Sequence, residues 1–169
     1  MKVVKDSMVL INLAKITLLE TSCNFFKVVL IPKMVFEEVV TAGKNKGSDE
    51  VIIIENLIKN KKIKVKEIKD KEVTKMVNEF NIYGGEAEAL ILYKQEKCDL
   101  LISDDFNLRK KKDLVNARII GSLAVLLKLR QSKKIDKNKF ENCINKMREI
   151  GWFSSSVIDK VLLDGEKYG

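Results

Sequence analysis

Along this chain, short apolar runs alternate with longer stretches whose apolar positions recur at helical spacing. Five runs read as strands: Lys2 to Lys5, Val28 to Ile31, Ile63 to Ile68, Leu100 to Ser103 and Arg118 to Ile120. Val28-Val29-Leu30-Ile31 and Leu100-Leu101-Ile102 are continuously apolar, as strands covered on both faces must be. Ile63-Lys64-Val65-Lys66 instead alternates with lysine, which suits a sheet edge, where charge discourages pairing with another chain. Helical spacing covers Met8 to Leu19, Lys33 to Thr41, Asp49 to Asn60, Lys71 to Asn81 and Glu86 to Lys97. It resumes over Asn107 to Val115, Ser122 to Gln131, Lys137 to Glu149 and Ser155 to Leu163. Pro32 stands where a helix begins, and Gly43 and Gly47 mark the loop after it. The alternation predicts an α/β protein, a parallel sheet with helices on both faces.

A length of 169 residues and 46% hydrophobic content suit one globular unit. The expected division is a main domain over residues 1–150, with residues 151–169 as a helical extension packed on it. No apolar run is long enough to cross a bilayer, and Asp6 arrives too early for a signal peptide, so a cytoplasmic protein without membrane contact is expected. Cys23, Cys98 and Cys143 are too few and too scattered for a disulfide framework or a thiolate metal site, and read as buried thiols. The chain has no histidine, the usual general base of serine, cysteine and pancreatic-type ribonuclease catalysis and the commonest zinc ligand. A net charge of +8 favours a polyanionic partner, with nucleic acid the leading class.

Against this basic background, several carboxylates stand in unusual places. Asp6 ends the first strand and Asp104-Asp105 ends the fourth, and ligands of open parallel sheets bind beyond such carboxyl ends. Helix capping is the ordinary alternative for Asp6 and Asp105. Glu38 shares a helix face with Met34 and Val35, whereas Glu37 falls with Lys33, Val40 and Thr41, so Glu38 is the better site candidate. A salt-bridged helix edge is the alternative for Glu38. Glu86 follows Gly84-Gly85 on a face with Ala89, Leu90 and Tyr93; Glu88 competes with it, and the helix dipole alone would favour either acid in a first turn. Gathering such charges is repulsive, on the order of 4 kcal/mol for a pair about 4 Å apart at an effective dielectric near 20. A hard cation is the natural compensation, and oxygen ligands without His point to Mg2+ or Mn2+. Hydrolysis of a phosphodiester fits that chemistry.

At these residues the chain resembles the PIN-domain nucleases, and within them the compact prokaryotic branch that looks like the VapC-type toxin ribonucleases. The resemblance runs over about residues 2–135. It is carried by Val4-Lys5-Asp6-Ser7 with Leu10-Ile11-Asn12-Leu13-Ala14, Ile31-Pro32 with Val35-Phe36-Glu37-Glu38-Val39, and Gly85-Glu86-Ala87-Glu88-Ala89. Leu101-Ile102-Ser103-Asp104-Asp105 with Arg109, and Gly121-Ser122-Leu123-Ala124-Val125-Leu126-Leu127, complete the order. The resemblance implies a three-layer α/β/α fold around a five-stranded parallel sheet of order 3-2-1-4-5. It also implies RNA cleavage with Mg2+ or Mn2+ held by Asp6, Glu38, Glu86 and Asp105. Ser103 fills the hydroxyl place before the last acid, Ser7 matches a residue that orients the first acid, and Asp104 becomes a supporting or alternate ligand. Met8 departs from the pattern, which commonly has a hydroxyl residue there.

Arg109-Lys110-Lys111-Lys112 exceeds what the resemblance requires, and reads either as an RNA-facing patch or as a solvated helix face. Lys59, Lys61, Lys62, Lys64 and Lys66 read as edge protection. Aromatics rarely interleave with these lysines, so stacking on bases has little support in the sequence. Trp152 and Phe153 are expected to pack the chain end or to form an oligomer contact such as a homodimer. The leading expectation is a ribonuclease, with a small antitoxin protein as a further partner if the toxin resemblance extends to regulation. The main alternative is a silent module of the same fold that holds RNA or protein without cutting. A phosphoacceptor domain fits less well, because it wants its acidic pair after the first strand and a Lys after the last; here the pair follows the fourth and Gly121-Ser122 follows the fifth.

Overall fold

The computed structural model describes residues 1–45, 47–69 and 71–168. In chain order the elements are β1 (Lys2–Lys5), α1 (Ser7–Lys15), α2 (Leu19–Phe26), β2 (Val28–Pro32), α3 (Lys33–Phe36), a π-helical turn (Glu37–Thr41) and α4 (Ala42–Asn45). Then come α5 (Glu50–Lys59), β3 (Ile63–Lys66), α6 (Lys71–Glu79), α7 (Gly84–Gln95), β4 (Leu100–Ile102) and α8 (Phe106–Lys110). The chain closes with β5 (Ile119–Ile120), α9 (Ser122–Gln131), α10 (Lys137–Ile150) and α11 (Ser155–Glu166). All strand pairs are parallel and the sheet order is β3-β2-β1-β4-β5, as expected.

Strand side chains alternate between two faces, and the core divides accordingly. Val3, Val29, Ile31, Leu100 and Ile102 pack with residues of α1, α2, α5, α9, α10 and α11. Val4, Leu30 and Leu101 pack on the opposite face with Ala89, Leu90, Leu92 and Leu108. The same alternation carries Lys5 into the first layer, where it is fully buried and its ammonium donates to Ser22 Oγ at 2.6 Å. Burial pulls its pKa down to about 8. β3 lies at an edge with Lys64 and Lys66 exposed. The three cysteines are buried and unpaired. Among the described residues no single helix is long and apolar enough to cross a membrane.

Local structure departs from the periodicity in four places. The expected helix from Met8 to Leu19 is two: α1 ends at Lys15, Thr17 adopts a left-handed conformation (φ 62°), and α2 begins at Leu19. Leu19, Ser22, Cys23 and Phe26 form the buried face of α2, a helical spacing hidden behind the polar residues among them. The helix expected over Lys33 to Thr41 runs on to Asn45 and contains the π-helical turn, where the Ala42 N–H donates to the Glu37 carbonyl. β3 stops at Lys66 rather than Ile68, and α8 is one short turn rather than a helix to Val115. Gly169, the last residue of the expected C-terminal extension, lies outside the described residues. Within that extension Ile158 and Val161 join the core cluster that holds α1.

Gly165 of α11 lies against Phe140 of α10: a Cβ there would fall 2.1 Å from Phe140 Cε1. Gly165→Ala gains about 1 kcal/mol of helix propensity but overpacks the contact, typically a cost of about 1–3 kcal/mol. Thermal unfolding should therefore show a Tm several degrees below the parent's, and Phe140→Leu in the same chain should recover part of the loss.

Candidate functional site

β1 and β4 are neighbours, so their carboxyl ends open onto one place. The Asp6 N–H donates to the Ile102 carbonyl at 3.1 Å, which carries the ladder one residue past β1 and holds Asp6 beside the exit of β4. Asp6 then caps α1, accepting from the Val9 N–H at 2.8 Å. Asp105 caps α8 in the same way, accepting from the Leu108 N–H at 2.6 Å. The capping expected as the ordinary alternative is thus present at both acids, and both also line a shared cavity.

That cavity has a volume of about 190 Å³ and is lined by Asp6, Ser7, Met8, Glu38, Gly85, Glu86 and Asp105. Four carboxylates from four segments therefore share one opening. Glu38 reaches it from the π-helical turn; such turns rotate the residues after them and are frequent at functional sites. The Ser7 hydroxyl donates to Glu38 Oε2, so Ser7 orients Glu38 and not the first acid as the resemblance implied. Glu86 enters from the first turn of α7. A Cβ at Gly85 would sit 2.8 Å from Glu38 Oε2, so the bare glycine is what admits that carboxylate. Among the described residues, no group of three acids stands close enough to close on an ion as placed.

Asp6 is 4% exposed, and its pKa is pushed up to about 7. Burial is the largest cause; the Ser103 hydroxyl and the Val9 N–H oppose it, while Asp104 and Asp105 add repulsion. Ser103, itself fully buried, also accepts from the Asp105 N–H at 3.1 Å and so links the two acids.

The other expected residues are distributed differently. Asp104, expected as a supporting or alternate ligand, does not line the cavity. Its Oδ1 accepts from the Ser122 N–H at 2.7 Å, and its Oδ2 from the Ser122 hydroxyl at 2.7 Å and Asn12 Nδ2 at 3.0 Å. Asp104 thereby ties the end of β4 to α1 and α9. Lys111, expected with the RNA-facing patch, donates to the carbonyls of Phe80 at 2.7 Å and Asn81 at 3.2 Å. Arg109, Lys110 and Lys112 line a second cavity beside the first. Glu37 pairs with Lys33 at 3.8 Å, and Glu88 accepts from the Met34 N–H at 3.1 Å, so both serve α3. Sequence reasoning quoted Asn12 and Gly121 within the motifs of the resemblance but gave neither a role. A Cβ at Gly121 would fall 2.8 Å from Asp104 Oδ1, and the small residue after β5 was the available signal.

Fold and site together define a doubly wound α/β protein whose sheet ends in an acidic, oxygen-lined cleft. Comparison with known families agrees: the PIN domain family matches residues 2–166, nearly the whole chain. The chain belongs to the PIN-domain family, whose members are generally metal-dependent nucleases. No curated protein and no solved structure gives a significant match.

The sign of the Asp6 shift sets a stability test. An unfolded aspartate titrates near 3.8 and the folded one near 7, so between these values the folded state holds more protons. Stability therefore falls as pH rises through that window, and the penalty is complete above about pH 7. Asn keeps the capping acceptor but carries no charge. In EDTA, Asp6→Asn should be more stable than the parent at pH 8, by up to about 4 kcal/mol, and the difference should close by about pH 4. Thermal unfolding across pH measures it; a constant difference would remove the buried charge as its cause.

Proposed function

We propose that the protein is a cytoplasmic, divalent-metal-dependent ribonuclease that hydrolyses phosphodiester bonds in single-stranded RNA at the cavity of Asp6, Glu38, Glu86 and Asp105. The observation that carries this reading is the convergence of four carboxylates on one opening in a chain of a nuclease family. The donors are all oxygens and the chain has no histidine, which suits Mg2+ or Mn2+ over zinc or copper. When bound, such an ion lowers the pKa of a coordinated water and neutralises phosphate oxygens.

The chain's own residues do the rest. Asp6, whose carboxyl pKa is raised by burial to about 7, would have to be deprotonated to serve as a ligand, so metal binding would be favoured by rising pH. Ser103 holds Asp6 and the Asp105 backbone in one frame, while Ser7 holds Glu38. Glu86 enters beside Gly84 and Gly85, on a first turn where the backbone leaves room for carboxylates. Arg109, Lys110 and Lys112 line a second cavity together with Asp104 and Phe106, the chain neighbours of Asp105, and would attract the phosphate backbone, in keeping with a net charge of +8. Within the family, the five ordered motifs support the branch resembling VapC-type toxins, with a small antitoxin protein as a partner. The alternative, a silent RNA-binding module, draws on the spacing of the acids, no three of which form a closed cluster as placed among the described residues.

Purified protein should cut a single-stranded RNA in Mg2+ or Mn2+ and stop in EDTA. Asp6→Asn should lose activity on the order of a hundredfold or more while remaining folded. Mn2+ should raise the parent's Tm and leave Asp6→Asn nearly unmoved. A variant that cuts as fast as the parent would sink the site assignment, and RNA retention without any cutting would favour the silent module.

A further inference from the structure

The turn at Asp104-Asp105-Phe106 is a wall between two cavities. Asp105 lines the acidic one, while Asp104 and Phe106 line a neighbour of about 540 Å³, in the size range of small-molecule sites. Two large aromatic side chains stand at this neighbour with most of their surface in water: Phe106 is 68% exposed and Trp152 66%. Exposing both on one cavity wall is unfavourable unless something covers them. Trp152 is presented by a short loop between α10 and α11, which leaves α10 through Gly151 at φ 83° and is anchored by Phe153 packing against the core.

The rest of the wall combines apolar Ile119, Phe153 and Val157 and the hydroxyl of Ser154 with a group of cations. Arg109, Lys110 and Lys112 all contribute, and Lys110 Nζ lies 4.3 Å from the Phe106 ring centroid. Among the described residues, the one acid on this wall is Asp104, whose oxygens already accept from Asn12 and Ser122.

We infer that this second cavity is a stacking subsite for an unpaired base of a single-stranded nucleic acid, one step along the strand from the phosphate at Asp105. The occupant follows from two demands made together. Three cations ask for a polyanion, and two exposed rings ask for a flat π face; a single strand offers both, whereas a duplex keeps its bases stacked on each other. Sequence reading missed this because Trp152 lies far along the chain from the basic run, and Phe106 by itself, at the start of the helix that carries Arg109 and Lys110, is a single aromatic. The orientation of the strand rests on the nuclease reading above, but the subsite itself does not.

Trp152 is the only tryptophan of the chain, so its emission reports the subsite directly. Parent protein in EDTA would be titrated with a 2′-O-methyl oligoadenylate of about ten nucleotides, within the span of known single-strand sites. Expected are quenching of Trp152, affinity that falls with salt, and no quenching by the matching duplex. Phe106→Ala and Trp152→Ala, followed by anisotropy of a labelled oligonucleotide, should each weaken binding roughly five- to a hundredfold and raise the KM for RNA cleavage. Unchanged emission on binding, together with parent-like affinity in both variants, would overturn the subsite. So would an emission change that tracks protein concentration alone, which would make this face a contact between two copies of the chain. If metal-dependent cleavage persists while these binding tests fail, the subsite is wrong and the nuclease stands. If quenching occurs and no metal supports cleavage, the nuclease reading fails and the subsite stands.

Discussion

The Asp6 carboxylate is held almost wholly out of water at the end of the central strand, and its neighbours are arranged to keep it there. Its backbone N–H continues the ladder to Ile102, while its side chain accepts from Val9 and Ser103. These hydrogen bonds favour the charged form, but burial and the neighbouring Asp104 and Asp105 outweigh them. A protein selected only for stability would have little reason to keep such a group. The start of α1 and the juncture of β1 with β4 are both organised around it.

Two adjacent acids illustrate how local geometry separates chemistry from scaffolding. Asp104 and Asp105 leave β4 together, yet the chain is turning from strand into helix, so they meet different surroundings. Asp105 caps α8 and lines the acidic cavity. Asp104 accepts three hydrogen bonds from Asn12 and Ser122 and braces α1 and α9 against the sheet. Glycines make both arrangements possible. Gly85 leaves space for Glu38 and Gly121 leaves space for Asp104, and in each case a methyl group would collide with a carboxylate oxygen.

The basic residues divide in a comparable way. Lys64 and Lys66 lie exposed on an edge strand, where they protect against unwanted pairing. Lys111 supports the backbone after α6, and Lys5 is buried in the core against Ser22. Arg109, Lys110 and Lys112 alone among these line a cavity beside the acids. Net charge therefore understates how few cations are placed to meet a substrate.

The sequence by itself determined the architecture, because strand and helix periodicities are local and the lysine alternation of β3 marks an edge whatever packs beside it. It also brought Asp6, Glu38, Glu86 and Asp105 forward, since a carboxylate on an apolar stripe or at a strand end stands out in one dimension. Tertiary structure decided what periodicity does not encode. The break between α1 and α2 depends on a left-handed Thr17, and the reach of Glu38 on a π-helical turn, neither of which has a composition signature. The burial of Lys5, the bracing role of Asp104 and the placement of Trp152 and Phe106 on one cavity required distant segments to be packed first. The reason is common to all three: a side chain's surroundings are set by which layers close over it, and that is a property of the assembled sheet and helices.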